Sequence, residues 1–255
     1  MPITIGMFIP VYHREDKVRR CFESLLEKLQ VPEGANLHVR VGYNGGPPVL
    51  KEYLTTEVPA RLNKRLPGST SYEVYEPGRN LGKPKIVNHM ATTLAAKTPI
   101  NWVLSFDSDL VLVDSFLDRL LEAYAAFPEP KRLGALSANQ LEGNCHRLTA
   151  APVVFSSGKY TYVTQDRNQG VAGGALLTPY HVWKSLGGYR AHRVYASDDG
   201  DYTEALAIHN LLICMVKEVA VVHPHPALED PAYFEWKRKA VQNSLSQEEA
   251  EGPYR

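Results

Sequence analysis

Apolar and polar positions fall into two kinds of block along the first half of the chain. Residues 3–9 (Ile-Thr-Ile-Gly-Met-Phe-Ile) are nearly continuous in apolar character, which predicts a buried first strand ended by Pro10. From Glu15 the period changes. Val18, Cys21, Phe22, Leu25, Leu26 and Leu29 recur at three- and four-residue steps and make one helix face. Residues 36–43 alternate as a second strand, closed by Asn44-Gly-Gly-Pro-Pro48, and residues 70–76 predict a shorter third strand. Strand, helix and strand of these lengths imply a right-handed βαβ unit in a parallel sheet.

The loop Pro77-Gly-Arg-Asn-Leu-Gly-Lys-Pro-Lys85 runs into a helix whose apolar side carries Ile86, Val87, Met90 and Leu94. Residues 102–113 open as an unbroken apolar run, the pattern of a strand buried on both faces. Asp114 is the expected cap of a helix burying Phe116, Leu117, Leu120, Leu121 and Tyr124. The second half differs. Residues 133–140 predict a strand, 143–169 read as irregular and polar, and 170–177 are apolar and rich in small residues, so that backbone can approach a neighbour closely. Thr178 and Pro179 are expected to open a short helix that Gly187-Gly188 ends. A helix over 202–212, a strand over 217–222 ending in His223-Pro-His225, and a polar surface helix from Ala227 complete the chain. Without repeats or low-complexity linkers, residues 1–255 are expected to form one domain. Its first half would be 1–113, its second 114–226, and its tail 227–255.

Composition narrows the class. The chain has 255 residues, 44% hydrophobic and 22% charged, with 28 basic and 28 acidic side chains and a formal net charge of zero. That balance gives no basic field for nucleic acid or an anionic membrane. The 3 cysteines are odd in number and lack Cys-x-x-Cys spacing, which fits a reducing compartment, with Cys21 on the buried helix face. No signal peptide and no stretch of ~20 apolar residues is present. The expectation is a soluble, cytoplasmic protein.

Candidate chemistry gathers at the predicted C-terminal strand ends, where open α/β sheets bind ligands: residues 10–14, 44–46, 79–85 and 107–109. On an extended chain Asp107 and Asp109 would point to the same side. Two carboxylates so placed require a compensating charge, such as a divalent cation carrying phosphate oxygens. The plainer alternative is a solvated acidic loop. Arg79, Lys83 and Lys85 precede a helix N-terminus, a favourable place for an anion.

Taken together, these motifs resemble a family 2 glycosyltransferase of the GT-A fold, over roughly residues 3–225. The resemblance rests on Ile-Gly-Met-Phe-Ile-Pro-Val-Tyr12, Arg79-Asn-Leu-Gly with Asn88, Phe106-Asp-Ser-Asp109, Gly173-Gly-Ala-Leu-Leu, Trp183 with Leu186-Gly-Gly-Tyr189, Asp198-Asp-Gly-Asp201 and His223. It implies an α/β fold with a Rossmann-like, mostly parallel central sheet flanked by helices. The implied activity is transfer of a hexose or pentose from a UDP- or GDP-linked donor to an acceptor hydroxyl, with Mn²⁺ or Mg²⁺ and with inversion. Asp109 and His223 would hold the metal. Pro10, Tyr12, Arg14, Asn44, Arg79, Asn80, Lys83, Asp107 and Ser108 would contact the nucleotide-sugar. Gly173, Gly174, Trp183 and Asp198 would contact the acceptor, and Asp199 would be the general base. Two departures stand out. The second strand ends in Gly42-Tyr-Asn-Gly-Gly46 where the family has Asp-Asp-Gly-Ser, and Asp198-Asp199 replaces Glu-Asp. A sugar-phosphate nucleotidyltransferase and a non-catalytic sugar- or nucleotide-binding module are the alternatives. The first lacks its usual glycine after strand one.

Overall fold

A computed structural model describes residues 2–142, 152–164, 171–190, 198–224, 229–233, 235 and 238; of Asp198 only the backbone is described. His225 lies outside the described residues. In chain order, β1 (Ile3–Val11), α1 (Glu15–Lys28) and β2 (Ala35–Tyr43) form the expected unit. Next come α2 (Pro48–Glu52), a π-helical turn (Tyr53–Glu57), α3 (Val58–Arg65), β3 (Thr70–Tyr75), α4 (Gly82–Ala95) and β4 (Trp102–Phe106). The remaining elements are β5 (Val111–Leu112), α5 (Leu117–Ala125), β6 (Leu133–Leu141), β7 (Val153–Ser157), β8 (Tyr160–Thr164), β9 (Ala175–Pro179), α6 (Tyr180–Ser185), α7 (Asp198–Ile208) and β10 (Leu212–Val222).

Among the described residues, ten strands make one sheet in the order β3-β2-β1-β4-β9-β6-β10-β8-β7, with β5 paired to β10. From β3 to β4 every pairing is parallel, as the sequence implied. Beyond β4 the sheet is mixed: β9 runs antiparallel to β4 and β6, β10 is parallel to β6, and β8 and β7 are antiparallel.

Strand alternation sorts the core onto two faces. Ile5, Met7, Ile9, Leu104 and Phe106 pack with the buried sides of α1, α3 and α5. Phe8 and Val103 point the other way, onto Ile86, Met90 and Leu94 of α4 and onto Trp183, Tyr202 and Leu206. Each such side chain removed wholly from water contributes roughly 1.5–3 kcal/mol before conformational entropy is counted. The result is a sheet between helical layers with its C-terminal strand ends open at one rim.

Several expectations change. Strand β1 does not stop at Pro10 but runs to Val11; β4 pairs with it only as far as Phe8, so the proline ring falls where one flank of β1 is open. The stretch 49–69, given no element from sequence, is largely helical. Leu50, Leu54, Val58 and Leu62 are four residues apart and drift about 40° per step on a regular helix, and the wider π turn between α2 and α3 takes up that drift. Residues 153–164, read as irregular, form the β7–β8 hairpin. Asp114 caps no helix; α5 starts after Phe116, and Asp114 pairs with Arg119 at 2.5 Å. Thr178 and Pro179 finish β9, and Pro179 is the N-cap of α6 and not its first-turn residue. Strand β10 begins at Leu212, because a register shift between Val216 and Ala220 absorbs the polar Lys217-Glu218 step.

Candidate active site

Strand β1 delivers Tyr12, His13 and Arg14 to the open rim. His13 (φ 49°) and Arg14 (φ 52°) are both left-handed, a conformation disfavoured for residues with a β-carbon. The His13 N–H donates to Gly45 O at 3.0 Å and the Asn44 N–H to Val11 O at 2.8 Å, so the β1 and β2 loops are stitched together. Arg14 closes the turn as the N-cap residue of α1.

Strand β4 ends at Phe106, and residues 107–109 form a turn in which the Leu110 N–H donates to Asp107 O at 3.3 Å. The extended backbone expected of this stretch therefore does not occur. Each carboxylate has its own cation. Lys83 Nζ lies 2.9 Å from Asp107 Oδ1, and Arg14 Nη1 lies 2.8 Å from Asp109 Oδ2. Desolvation raises the Asp107 carboxyl above its ordinary pKa; the Lys83 ammonium opposes the rise, and Asp109 and Asp199 add to it.

His223 follows β10, its N–H donating to Leu141 O at 2.9 Å. Its Nδ1 is 3.1 Å from Gln140 Oε1, and its Nε2 is 3.4 Å from Asp109 Oδ1. The Gln140 amide is oriented by its own Nε2, which donates to Ala172 O at 3.1 Å. Its Oε1 must then accept, so His223 Nδ1 carries the proton. The Nε2 side of the ring faces a carboxylate oxygen, which is satisfied either by a proton on Nε2 or by a cation that both atoms bind. The donor set thus fits a divalent ion held by Asp109 and His223, with phosphate and water completing it. Among the described residues no group of three or more His, Cys, Asp or Glu side chains converges as a ligand set.

On the other side of the rim, Lys83 Nζ also reaches Asp199 Oδ1, at 3.5 Å. That oxygen is buried and accepts no hydrogen bond among the described residues. Gly173 and Gly174 provide the close approach expected of them. A β-carbon at 174 would lie 2.8 Å from Gln140 Nε2, and one at 173 would run into the Asp199 carboxylate. One ammonium therefore bridges the β4 turn and the start of α7.

A cavity of about 480 Å³ lies beside this cluster, lined in part by Tyr12, His13, Asn44, Lys51, Glu76 and Arg79. Burial lowers the pKa of His13 there. Asn44 Oδ1 accepts the Leu81 N–H at 3.0 Å and Asn80 Oδ1 the Gly82 N–H at 2.9 Å, so both amides tie loops with their carbonyl ends. Ser108 sits within the acidic turn, and Pro10 stands two residues before Tyr12. Trp183 is 4% exposed and wedged between Tyr189 and Tyr202, with ring centroids at 4.8 and 5.4 Å; it is a core residue. Asn88 instead supports the site's edge, its Nδ2 donating to Tyr189 O at 2.7 Å and its Oδ1 accepting the Tyr189 N–H at 2.9 Å. Cys21 is fully buried beneath the acidic turn, as expected of a core cysteine.

Three participants were not singled out from sequence: Gln140, Asp230 and Tyr233. Asp230 Oδ2 is 3.6 Å from Arg14 Nε, and the Tyr233 ring centroid is 4.4 Å from the Arg14 guanidinium carbon. A polar residue at the end of an otherwise buried strand was the available signal for Gln140. The polar tail offered none.

No protein-family model matches the chain, and no curated protein matches it by sequence. Solved structures do. The chain superposes on GalNAc-T7 bound to UDP, GalNAc and Mn²⁺ with a TM-score of 0.63 at 11% identity, over 88% of this chain and 43% of that one. On the Pyrobaculum calidifontis mannosyltransferase PcManGT in complex with GDP-Man and Mn²⁺ the TM-score is 0.60 at 13% identity, over 96% and 63%. For residues 1–349 of S. aureus TarS it is 0.57 at 14% identity, over 98% and 68%. This chain thus has the mixed α/β fold of GT-A glycosyltransferases. It spans about two fifths to three fifths of the length of the first two of these proteins.

Proposed function

We propose that this protein is a glycosyltransferase of the family 2 type, cytoplasmic, moving a hexose or pentose from a UDP- or GDP-linked donor to an acceptor hydroxyl with inversion. The observation that carries the reading is the pairing of Asp109 with His223 on one side of Lys83 and of Asp199 on the other. Residues 1–113 would hold the donor and 114–226 the acceptor. The nucleoside enters the cavity beside Tyr12 and Arg79, and the diphosphate extends toward Lys83. Mn²⁺ or Mg²⁺ on Asp109 and His223 would supply the positive charge that the departing diphosphate needs. Asp199 accepts the proton of the acceptor hydroxyl as its oxygen bonds to the anomeric carbon and the bond from that carbon to the phosphate oxygen breaks. Gly173 and Gly174 leave space for the acceptor-side backbone to close on Asp199 and Gln140. The complexes of the fold's neighbours with UDP or GDP-Man and Mn²⁺ support this reading. Among the described residues no helix is long and apolar enough to cross a membrane.

Thermal melts with UDP or GDP, in Mn²⁺ or in EDTA, test the proposal. A rise in melting temperature with one nucleotide, present only with the ion, is expected. Identical melts under all four conditions would defeat it.

A further inference from the structure

We propose that Arg14 is the positioning residue for Asp109, and that the C-terminal segment bearing Asp230 and Tyr233 is part of the same device. The inference rests on Asp109 and His223 forming the metal pair. The two oxygens of Asp109 have separate partners. Oδ2 accepts Arg14 Nη1 at 2.8 Å, which turns Oδ1 toward His223 Nε2, 3.4 Å away. A carboxylate held by one oxygen presents the other as a single, fixed ligand atom. Removing a partner that fixes a ligand in this way typically costs about 10- to 100-fold in metal affinity.

Arg14 is built for this task more than for contact with phosphate. Its side chain is only 9% exposed, so little of it can be reached by a diphosphate. The guanidinium is fixed at Nη1 by Asp109, faced at Nε by Asp230 and stacked on the Tyr233 ring at 4.4 Å. A planar fork suits three such contacts where a lysine would not. The C-terminal segment is itself docked. Glu229 pairs with Lys17 at 2.6 Å and with Arg20 at 2.8 Å on α1, and Asp230 Oδ1 accepts the Tyr233 N–H at 3.0 Å. The left-handed backbone at 13 and 14 fixes the direction from which the side chain arrives.

The test follows Mn²⁺ binding by loss of the free-ion electron paramagnetic resonance signal, and UDP or GDP binding at saturating Mn²⁺ by calorimetry. In Arg14→Ala, Mn²⁺ affinity is expected to fall by about 10- to 100-fold, and Tyr233→Ala to fall in the same direction by less. Nucleotide affinity at saturating Mn²⁺ should return to the wild-type value. Arg14→Lys, which keeps a cation but loses the fork, guards against a folding defect and should also weaken Mn²⁺ binding; melts in metal-free buffer establish that each variant is folded. Unchanged Mn²⁺ binding with weakened nucleotide binding would make Arg14 a phosphate contact and overturn the inference. Tighter Mn²⁺ binding would make it a competitor of the ion, with the same result. Asp109→Ala separates the two readings: if it too binds Mn²⁺ like wild type, the metal pair itself is wrong and both fall.

Discussion

Gly173 and Asp199 are fitted to each other: a β-carbon on residue 173 would overlap Asp199 Oδ1. No such overlap is sustainable, so the carboxylate holds its place only because residue 173 is glycine. Gly173→Ala is expected to push Asp199 aside and lower transfer by about 100-fold, the scale of an ångström-sized misplacement of a reacting group. Nucleotide-dependent stabilisation should persist. Steady-state rates beside melts with nucleotide and Mn²⁺ check this, and an unimpaired rate would show that Asp199 need not sit where it does.

Replacing the carboxylate itself is the sharper experiment. Asp199→Asn preserves shape and removes the proposed proton acceptor, so transfer should fall by ~10²–10⁴-fold with donor affinity near wild type. Calorimetry with the donor and initial rates with the acceptor decide it. Equal loss of donor affinity and rate would assign Asp199 to binding.

Gln140 acts at one remove. Its amide fixes the proton on His223 Nδ1, so Gln140→Ala should weaken Mn²⁺ binding by about 10- to 100-fold while leaving the proposed ligands Asp109 and His223 in place. Manganese titration of the folded variant reads this directly. Wild-type affinity would mean that the imidazole needs no such partner.

Asp107 carries a pH signature. Its folded carboxyl has a raised pKa, so the folded state binds its proton more readily than the unfolded chain, whose value is near ~3.9. Its contribution to stability is complete below that value and is lost as pH rises through the raised one. Asp107→Asn should therefore melt higher than wild type at neutral pH without metal, with the difference closing as pH falls through the raised value and gone below ~3.9. The side chain is 26% exposed and solvent screens it, so the expectation is one of direction. A variant that melts lower at neutral pH would mean that the ion pair with Lys83 outweighs the cost of burying the carboxylate.

Sequence periodicity carried the parallel half because β1 and β4 are apolar runs, β2 alternates, and α1 and α4 show single stripes. It failed at 49–69, where the π turn breaks the period, and at β7, an edge strand whose Val153 and Val154 are exposed and so show no buried alternation. Motif reading singled out Asp107, Asp109, Asp199 and His223 and put Asp109 with His223, but did not give these two their partners Arg14 and Gln140. Arg14 finds Asp109 across 95 positions and His223 finds Gln140 across 83, distances over which no local pattern speaks. The turn at 107–109 was likewise hidden, since a two-residue spacing reads as strand until backbone hydrogen bonds show otherwise.

Strand β10 pairs with β6 and β8, and near its end Val221 and Val222 also pair with Leu112 and Val111 of β5. The two flanks of Asp109 consequently belong to regions of unequal local stability. Amide protons of Val221 and Val222, locked between strands, should exchange with solvent only on near-global opening, whereas those of the 12–14 loop should exchange through local opening. Deuterium uptake would then report ligand arrival almost wholly on the arginine side, with the histidine side silent because it is already as protected as the sheet itself.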